Sequence, residues 1–421
     1  MIQKSVIGNG VRILTEAMPQ VVSSSIGIWV ENGSRYEEPA ENGTSHFIEH
    51  LLFKGTKKRT AAQIAEAFDA VGGVLNAFTG KEFTCYYAKV LGKDLEMATE
   101  VLADIFLDSV FDPAEIERER QVVLQEISQA EDTPDDYIHD LFNEEFWKGH
   151  PLALPIFGSV ATVNKIDREL LVSFMAARYR SSRVFIAAAG QVEHERLTAK
   201  CAGLFGGVAG DGKVEKFSPP IDHPLVLTRE KKLEQAHICI GGPGISQSHP
   251  LRYASYVLNT ALGGGMSSRL FQEVREKRGR VYSIYSFISS FIDSGYFGVY
   301  AGTNPEWVDE VLEVTVAELR KVEKDGLEPA ELTRAKSQLQ GNMLLGMEST
   351  DSRMNRLARN EIYFRRDVSL EELSIGIDAV TNDNIVELAS TWFQPDKLAM
   401  VLLGDLKGRK IGRDVFAPLA Q

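Results

Sequence analysis

Cysteine is scarce in this chain: Cys85, Cys201 and Cys239 are three in 421 residues, an odd number, far apart and each set among apolar neighbours. That argues against a disulfide framework or a thiolate metal site, and buried free thiols are expected instead. Long apolar runs are missing too, and none approaches the ~20 residues of a membrane span. The stretch Met1–Gly10 holds no apolar core of a secretory signal, and Glu16 interrupts the acid-free, Arg/Ser-rich look of a transit peptide. A cytoplasmic protein is expected. Positive charge is in deficit, with 46 Lys and Arg against 59 Asp and Glu and a net charge of −13. Nucleic acid is thereby disfavoured as a partner, because phosphate backbones are met by Lys/Arg excess. An acidic enclosure would instead attract basic peptides. The remaining composition, 44% apolar and 25% charged, is ordinary for a globular protein of two to three domains.

Histidine is also infrequent, eight in all, yet two of them stand four apart in His46-Phe47-Ile48-Glu49-His50. On a helix that spacing sets both imidazoles on one face, one turn apart, where they can share a divalent cation. Glu49 lies beside the second ring, within reach of a metal-activated water. Phe47, Ile48, Leu51, Leu52 and Phe53 imply a largely buried helix, on which three polar side chains need a common partner. A satisfied polar cluster in the core is the plainer alternative. The H-x-x-E-H order reverses the familiar zinc-protease helix motif and marks the inverted zincins. On this motif the chain resembles the pitrilysin/insulinase family of zinc metallopeptidases, most of all the bacterial homologues of the mitochondrial processing peptidase β subunit.

Along the chain, Gly10–Leu14 and Ser23–Val30 read as strands. A helix from Ala61 to Val71 stops at Gly72-Gly73. Val74–Thr79 and Glu82–Val90 then read as a hairpin about Gly80-Lys81, and Asp94–Leu107 as helix. Asp112-Pro113-Ala114-Glu115 supplies an N-cap, a proline at the first helical position and an acid three after the cap, so a helix is expected to about Ala130. On it Glu119 and Glu126 are seven apart, close to one face. Glycine and proline crowd Gly203–Pro224, and a linker is expected at 206–224 between an N-terminal domain, 1–205, and a C-terminal one, 225–421.

Beyond the linker the first half recurs. His46–Gly55 aligns with Tyr256–Gly265 at an offset of 210 (256 − 46), and the same offset lays Asp94–Met97 over Asn304–Trp307. With six more residues inserted, Asp112–Glu115 meets Glu328–Glu331. The expected fold class is therefore α+β, two homologous domains, each a mixed β-sheet with helices packed on it. The second copy has Tyr256, Asn259 and Thr260 where the first has His46, Glu49 and His50, and Asn342 in place of Glu126. Loss of one site points to a metal that serves a reaction. Gly263-Gly264-Gly265 lacks the Gly-Lys-Ser/Thr of a phosphate loop and reads as a helix end. His139, His150, His194, His223, His237 and His249 show no ligand spacing.

The resemblance, which runs from Gly10 to about Gly404, implies roles for particular residues. His46, His50 and Glu126 would ligate one Zn2+ per chain, Glu49 would be the general base, and Glu119 would orient a ligand imidazole. Arg275 and Tyr282 match a segment that grips the peptide backbone. The strand carrying Asn76, Ala77 and Phe78 matches the edge on which an extended substrate is laid. The resemblance also implies half of a clamshell, closed by a second chain. Because both the metal motif and the Arg/Tyr segment are present, the expected partner is a second copy of this chain, with Arg275 and Tyr282 acting in trans on peptide substrates. The alternative from another class is a noncatalytic scaffold subunit of the same fold.

Overall fold

The computed structural model describes residues 2–210 and 217–420. Residues 211–216 of the expected linker lie outside the described residues, and Phe217–Leu225 follow without regular structure. The first half supplies strands β1 (Ile2–Val6), β2 (Arg12–Ala17), β3 (Ser23–Val30), β4 (Val74–Thr79), β5 (Thr84–Leu91) and β6 (Val184–Gly190). Its helices are α1 (Thr44–Leu52), α2 (Ala61–Asp69), α3 (Leu95–Asp108), α4 (Pro113–Glu131), α5 (Pro134–Phe146), the single turn α6 (Val160–Val163), α7 (Arg168–Arg178) and α8 (His194–Phe205). The second half supplies strands β7 (Val226–Glu230), β8 (Ala236–Pro243), β9 (Val281–Ser290), β10 (Gly295–Thr303) and β11 (Ala399–Gly404). Its helices are α9 (Arg252–Gly263), α10 (Val308–Asp325), α11 (Pro329–Gly346), α12 (Thr350–Phe364), α13 (Leu370–Asp378) and α14 (Asn382–Trp392).

The duplication is visible in the topology. The first sheet runs β1-β2-β6-β3-β5-β4 and the second β7-β11-β8-β10-β9, so that beyond the added β1 the two orders correspond strand for strand. Each sheet is mixed: β2 pairs with β6, and β7 with β11, in parallel, and every other neighbour is antiparallel. The α+β class with two homologous domains is thus observed. β1 was not anticipated, because Gln3, Lys4 and Ser5 give it little apolar alternation at the sheet margin.

Both faces of each sheet are covered. Val184, Ile186 and Ala188 of β6 join the core that contains α1 and α3, while Phe185, Ala187 and Ala189 join a second core with Met354, Leu357 and Ala358 of α12. A strand buried on both sides reads as an unbroken apolar run, as Val184–Gly190 does. Gly27 on β3 admits α12 closely: a Cβ there would come within 2.8 Å of Trp29 Nε1 and 3.3 Å of Met354 Sδ. In the second sheet α5 takes the matching place against β8 and β11, building a core from Ile138, Phe142 and Phe146 with Cys239 and Val401. The chain therefore forms two compact units with exchanged segments. One comprises 1–129, 154–217 and 346–367, the other 130–153, 218–345 and 368–421. The three cysteines are free and buried. Among the described residues no helix is long and apolar enough to cross a membrane.

A buried ion pair fixes the end of the first sheet where β4 turns into β5. Arg35 Nη1 meets Glu82 Oε1 at 2.7 Å, both side chains almost fully enclosed, and Tyr363 of α12 donates its hydroxyl to Glu82 Oε2 at 3.0 Å. Backbone bonds from Ser34 N–H to Gly80 O and from Arg35 N–H to Lys81 O tie the same turn down. Glu82→Leu takes the buried Arg35 Nη1 contact and the Tyr363 acceptor away together, so it is expected to lower unfolding stability by about 3–5 kcal/mol in denaturant titration. Arg35→Met combined with Glu82→Leu should recover much of that loss.

Candidate metal centre

The helix α1 that carries the histidines has only nine residues and would not persist alone. Phe47, Ile48, Leu51 and Leu52, all at most 1% exposed, bind it into the core, and this burial sets which way the remaining face looks. Its start is held by an acid the sequence did not single out. The buried Glu37 carboxylate accepts the backbone N–H of Gly43 at 2.8 Å and of Ser45 at 2.6 Å, and the Asn42 side-chain amide at 3.0 Å. The two backbone N–H groups are orphan donors of a helix N-terminus, and burial pushes the carboxyl that meets them up to about 7 against these bonds. Gly43 makes the entry possible: its φ is +97°, and a Cβ would lie 2.7 Å from Phe157 O.

His46 and His50 present their rings side by side, with centroids 4.7 Å apart. Asp112 caps α4 through a bond from Ala114 N–H to its side chain, as anticipated, and α4 brings Glu119 and Glu126 to the same place. Arg120 keeps α4 in phase with α1. Its guanidinium stands over the Phe47 ring at 5.8 Å and donates to Val163 O and to Ile166 O. Glu126 Oε2 lies 3.4 Å from His50 Nε2 and 3.7 Å from His46 Nε2. Glu119 Oε2 bonds His50 Nδ1 at 3.0 Å, while its other oxygen meets Lys54 Nζ at 2.8 Å. Glu49, one residue before His50, accepts the Thr79 hydroxyl from the end of β4.

These residues fit a zinc ion. A tetrahedral cation with bonds of about 2.0–2.1 Å holds neighbouring ligand atoms roughly 3.3–3.4 Å apart. The two spacings to Glu126 approach that edge length and exceed ordinary hydrogen bonds, and all three candidate atoms lie within 4.8 Å of one another. Glu126 Oε2 is buried without a hydrogen-bond partner, although it faces two imidazole nitrogens. With Glu119 accepting the Nδ1 proton of His50, its Nε2 lone pair is directed at the shared point.

The electrostatics divide the two histidines. Burial, aided by the neighbouring His50, pushes His46 down to about 4, so its imidazole is neutral and available as a ligand at pH 7. Burial also acts on His50, but Glu126 and Glu119 outweigh it and raise its pKa. The facing His50 holds Glu126 below the usual carboxylate range, and burial raises Glu49 against the bond from Thr79.

The other expected site residues fall in two places. Asn76, Ala77 and Phe78 lie on β4, which is the edge strand of its sheet. Asn76 Oδ1 accepts the Ala77 N–H at 2.8 Å, and the Phe78 ring packs edge-on to Trp29 at 5.6 Å. Arg275 and Tyr282 belong to the second unit. The stretch Phe271–Glu276 is a π-helical turn, and the Arg275 guanidinium lies over Phe271 at 4.8 Å and over Tyr282 at 5.5 Å. Tyr282, 77% exposed, is the second residue of β9, an edge strand of the second sheet. Where the second copy corresponds to the metal helix, α9 carries Tyr256, Asn259 and Thr260 and ends at Gly263. Glu37, Thr79, Lys54 and Arg120 had escaped notice; the last three act through contacts distant in sequence, whereas Glu37 caps the helix that begins a few residues after it and so left a local trace.

Comparison with known proteins agrees with this geometry. Residues 12–160 match the insulinase (peptidase family M16) model and residues 165–339 the peptidase M16 inactive domain. An uncharacterized zinc protease of Streptomyces coelicolor is 41% identical over 99% of this chain and 90% of its own length. An uncharacterized zinc protease, YmxG, of Bacillus subtilis is 41% identical over 94% of this chain and 97% of its own. Among solved structures, a peptidase M16 inactive domain from Pseudomonas fluorescens superposes with a TM-score of 0.90 at 21% identity, covering 98% of this chain and 100% of that one. A protease from Helicobacter pylori gives 0.90 at 21% identity, covering 96% and 99%. This chain belongs to the M16 insulinase family of zinc metallopeptidases. Its first half carries the His-x-x-Glu-His helix and its second corresponds to the domain described as inactive.

Replacing a ligand and replacing its support should differ in degree. His46→Ala is expected to abolish stoichiometric zinc binding in equilibrium dialysis, whereas Glu119→Gln should weaken it about 10- to 100-fold. Equal affinity in Glu119→Gln and wild type would refute the orienting role.

Proposed function

We propose that this protein is a zinc-dependent endopeptidase that cuts peptides or unfolded segments, with one zinc per chain held by His46, His50 and Glu126. The observation that carries this is the set of three candidate donor atoms within 4.8 Å of one another, two of their spacings, 3.4 and 3.7 Å, approaching a tetrahedral edge, with Glu49 on the same helix. When bound, the cation activates a water and polarises the scissile carbonyl. Glu49 accepts the proton of the attacking water and passes it to the departing amine, so no covalent acyl-enzyme is needed. The Thr79 hydroxyl restrains the Glu49 carboxylate, and Glu119 fixes the His50 tautomer. The substrate lies extended along β4 by backbone pairing at Asn76, Ala77 and Phe78, which tolerates varied sequences.

In this reading Arg275 and Tyr282 hydrogen-bond the peptide backbone, and the seat of the Arg275 guanidinium over the rings of Phe271 and the exposed Tyr282 favours it by keeping the two side chains together. The working form is a cytoplasmic homodimer, a clamshell around a chamber, in which Arg275 and Tyr282 of one chain serve the zinc of the other. A noncatalytic scaffold role is not favoured, because it leaves the converging ligand set without a purpose.

Glu49→Gln should keep its zinc while hydrolysis of a quenched peptide falls by at least about 10²-fold, the usual worth of a general base. Full activity in Glu49→Gln, or no hydrolysis by zinc-loaded wild type, would defeat the proposal. Mixed dimers of Glu49→Gln and Tyr282→Phe chains should regain part of the activity that each homodimer lacks; silence there would reject action in trans.

A further inference from the structure

Beside β4 the first unit holds a cavity of about 380 Å3 to which no role has been attached. Val74 and Phe78 of β4, Tyr87 of β5 and Met354 of α12 make its apolar walls, and Lys89, Asp351 and Asn355 complete it. Lys89 Nζ and Asp351 Oδ2 are paired at 2.8 Å, and Asp351 Oδ1 also accepts from Ser25. The one cation and the one anion of the lining thus offset each other, and a charged guest finds no free counter-charge.

The position of the cavity says what would enter it. Successive side chains of β4 alternate between the faces of the sheet. Leu75 and Ala77 pack toward the core that includes α1, whereas Phe78 packs toward the core that includes Met354. Thr79, which bonds Glu49, ends the strand. The cavity is centred between Val74 and Phe78, across from Tyr87, whose register partner is Asn76, and so lies three residues or about 10 Å back along the strand from Thr79. A peptide paired to the free edge of β4 would turn every second side chain to this face.

We infer that the cavity is a side-chain subsite for a bulky uncharged residue, aromatic or large aliphatic, two to four positions from the bond that is cut. Aromatic walls suit such a guest, and Met354, a flexible thioether, adapts to its shape. The inference rests on the reading of β4 as the strand that receives the peptide. It gives Asp351, Met354 and Asn355, on a helix from the far half of the chain, a part in selecting the substrate.

The test uses zinc-loaded full-length protein and a peptide library whose cleavage products are sequenced by mass spectrometry. Phe, Tyr, Leu or Met should be enriched at one position two to four residues from the cut. A peptide carrying Phe there should exceed its Ala counterpart in kcat/KM by about tenfold or more, the scale on which apolar pockets discriminate. Val74→Glu, at an exposed wall position, and Asn355→Arg, at the rim, should each reduce that ratio to about threefold or less. The same fluorescein-labelled pair is titrated against Glu49→Gln protein by anisotropy, which reads the subsite without turnover. Cleavage with no such preference, a ratio unchanged in both variants, or failure of either peptide to bind would overturn the subsite. Selective binding of the Phe peptide, lost in Val74→Glu, with no cleavage of any peptide by wild type, would keep the subsite and overturn the peptidase reading instead.

Discussion

The centre depends on the constraint that holds α1 still. Nine residues cannot sustain a helix in water, so its geometry comes from outside: four large apolar side chains lock it on one side, and the Glu37 carboxylate grips its first turn. Burial alone fixes the rotation of a helix about its axis, and an N-terminal acceptor limits its sliding along that axis. Together they leave His46, Glu49 and His50 little freedom. Arg120 extends the same restraint to α4, so that Glu119 and Glu126 meet the histidines in register. Preorganisation of this kind places the entropic cost of assembling a ligand set in the folding of the protein rather than in the binding of the ion.

A good part of this was readable from residue order. His46 and His50 stand four apart, Glu119 and Glu126 seven apart behind the Asp112-Pro113 cap, and each spacing converts directly into a helix face. The hairpin about Gly80-Lys81 and the recurrence of Asp112-Pro113-Ala114-Glu115 at Glu328-Pro329-Ala330-Glu331 were equally plain. What stayed hidden were relations that no local pattern records. Pro134–Phe146 and Thr350–Phe364 are amphipathic, which tells which side of each helix is buried but not which sheet it covers. Thr79 and Arg120 look like ordinary surface residues until the chain folds back on itself. Boundaries shifted by a residue or two where caps, not periodicity, end an element, as at Asp69 rather than Val71.

The two sheets share one strand order yet differ in what they support. In the first, α1 and α4 turn three titratable side chains, His46, His50 and Glu126, toward a common point. In the second, α9 offers Tyr256, Asn259 and Thr260, none of which binds zinc well. The second copy builds the same architecture around Val257, Leu258 and Leu262 with no such ligand set on its α9. That separation of architecture from chemistry lets the proposed metal site sit in one copy while the other displays Arg275 beside Tyr282.

The exchanged helices bear on how such a chain persists. Because α5 seals the sheet of the far half and α12 seals that of the near half, excising either repeat would leave its sibling with a raw greasy flank. Gene truncation at the midpoint would thus yield two sticky orphans instead of a smaller working protein. The second repeat is retained for the α12 it lends to its sister sheet, whatever becomes of its own chemistry.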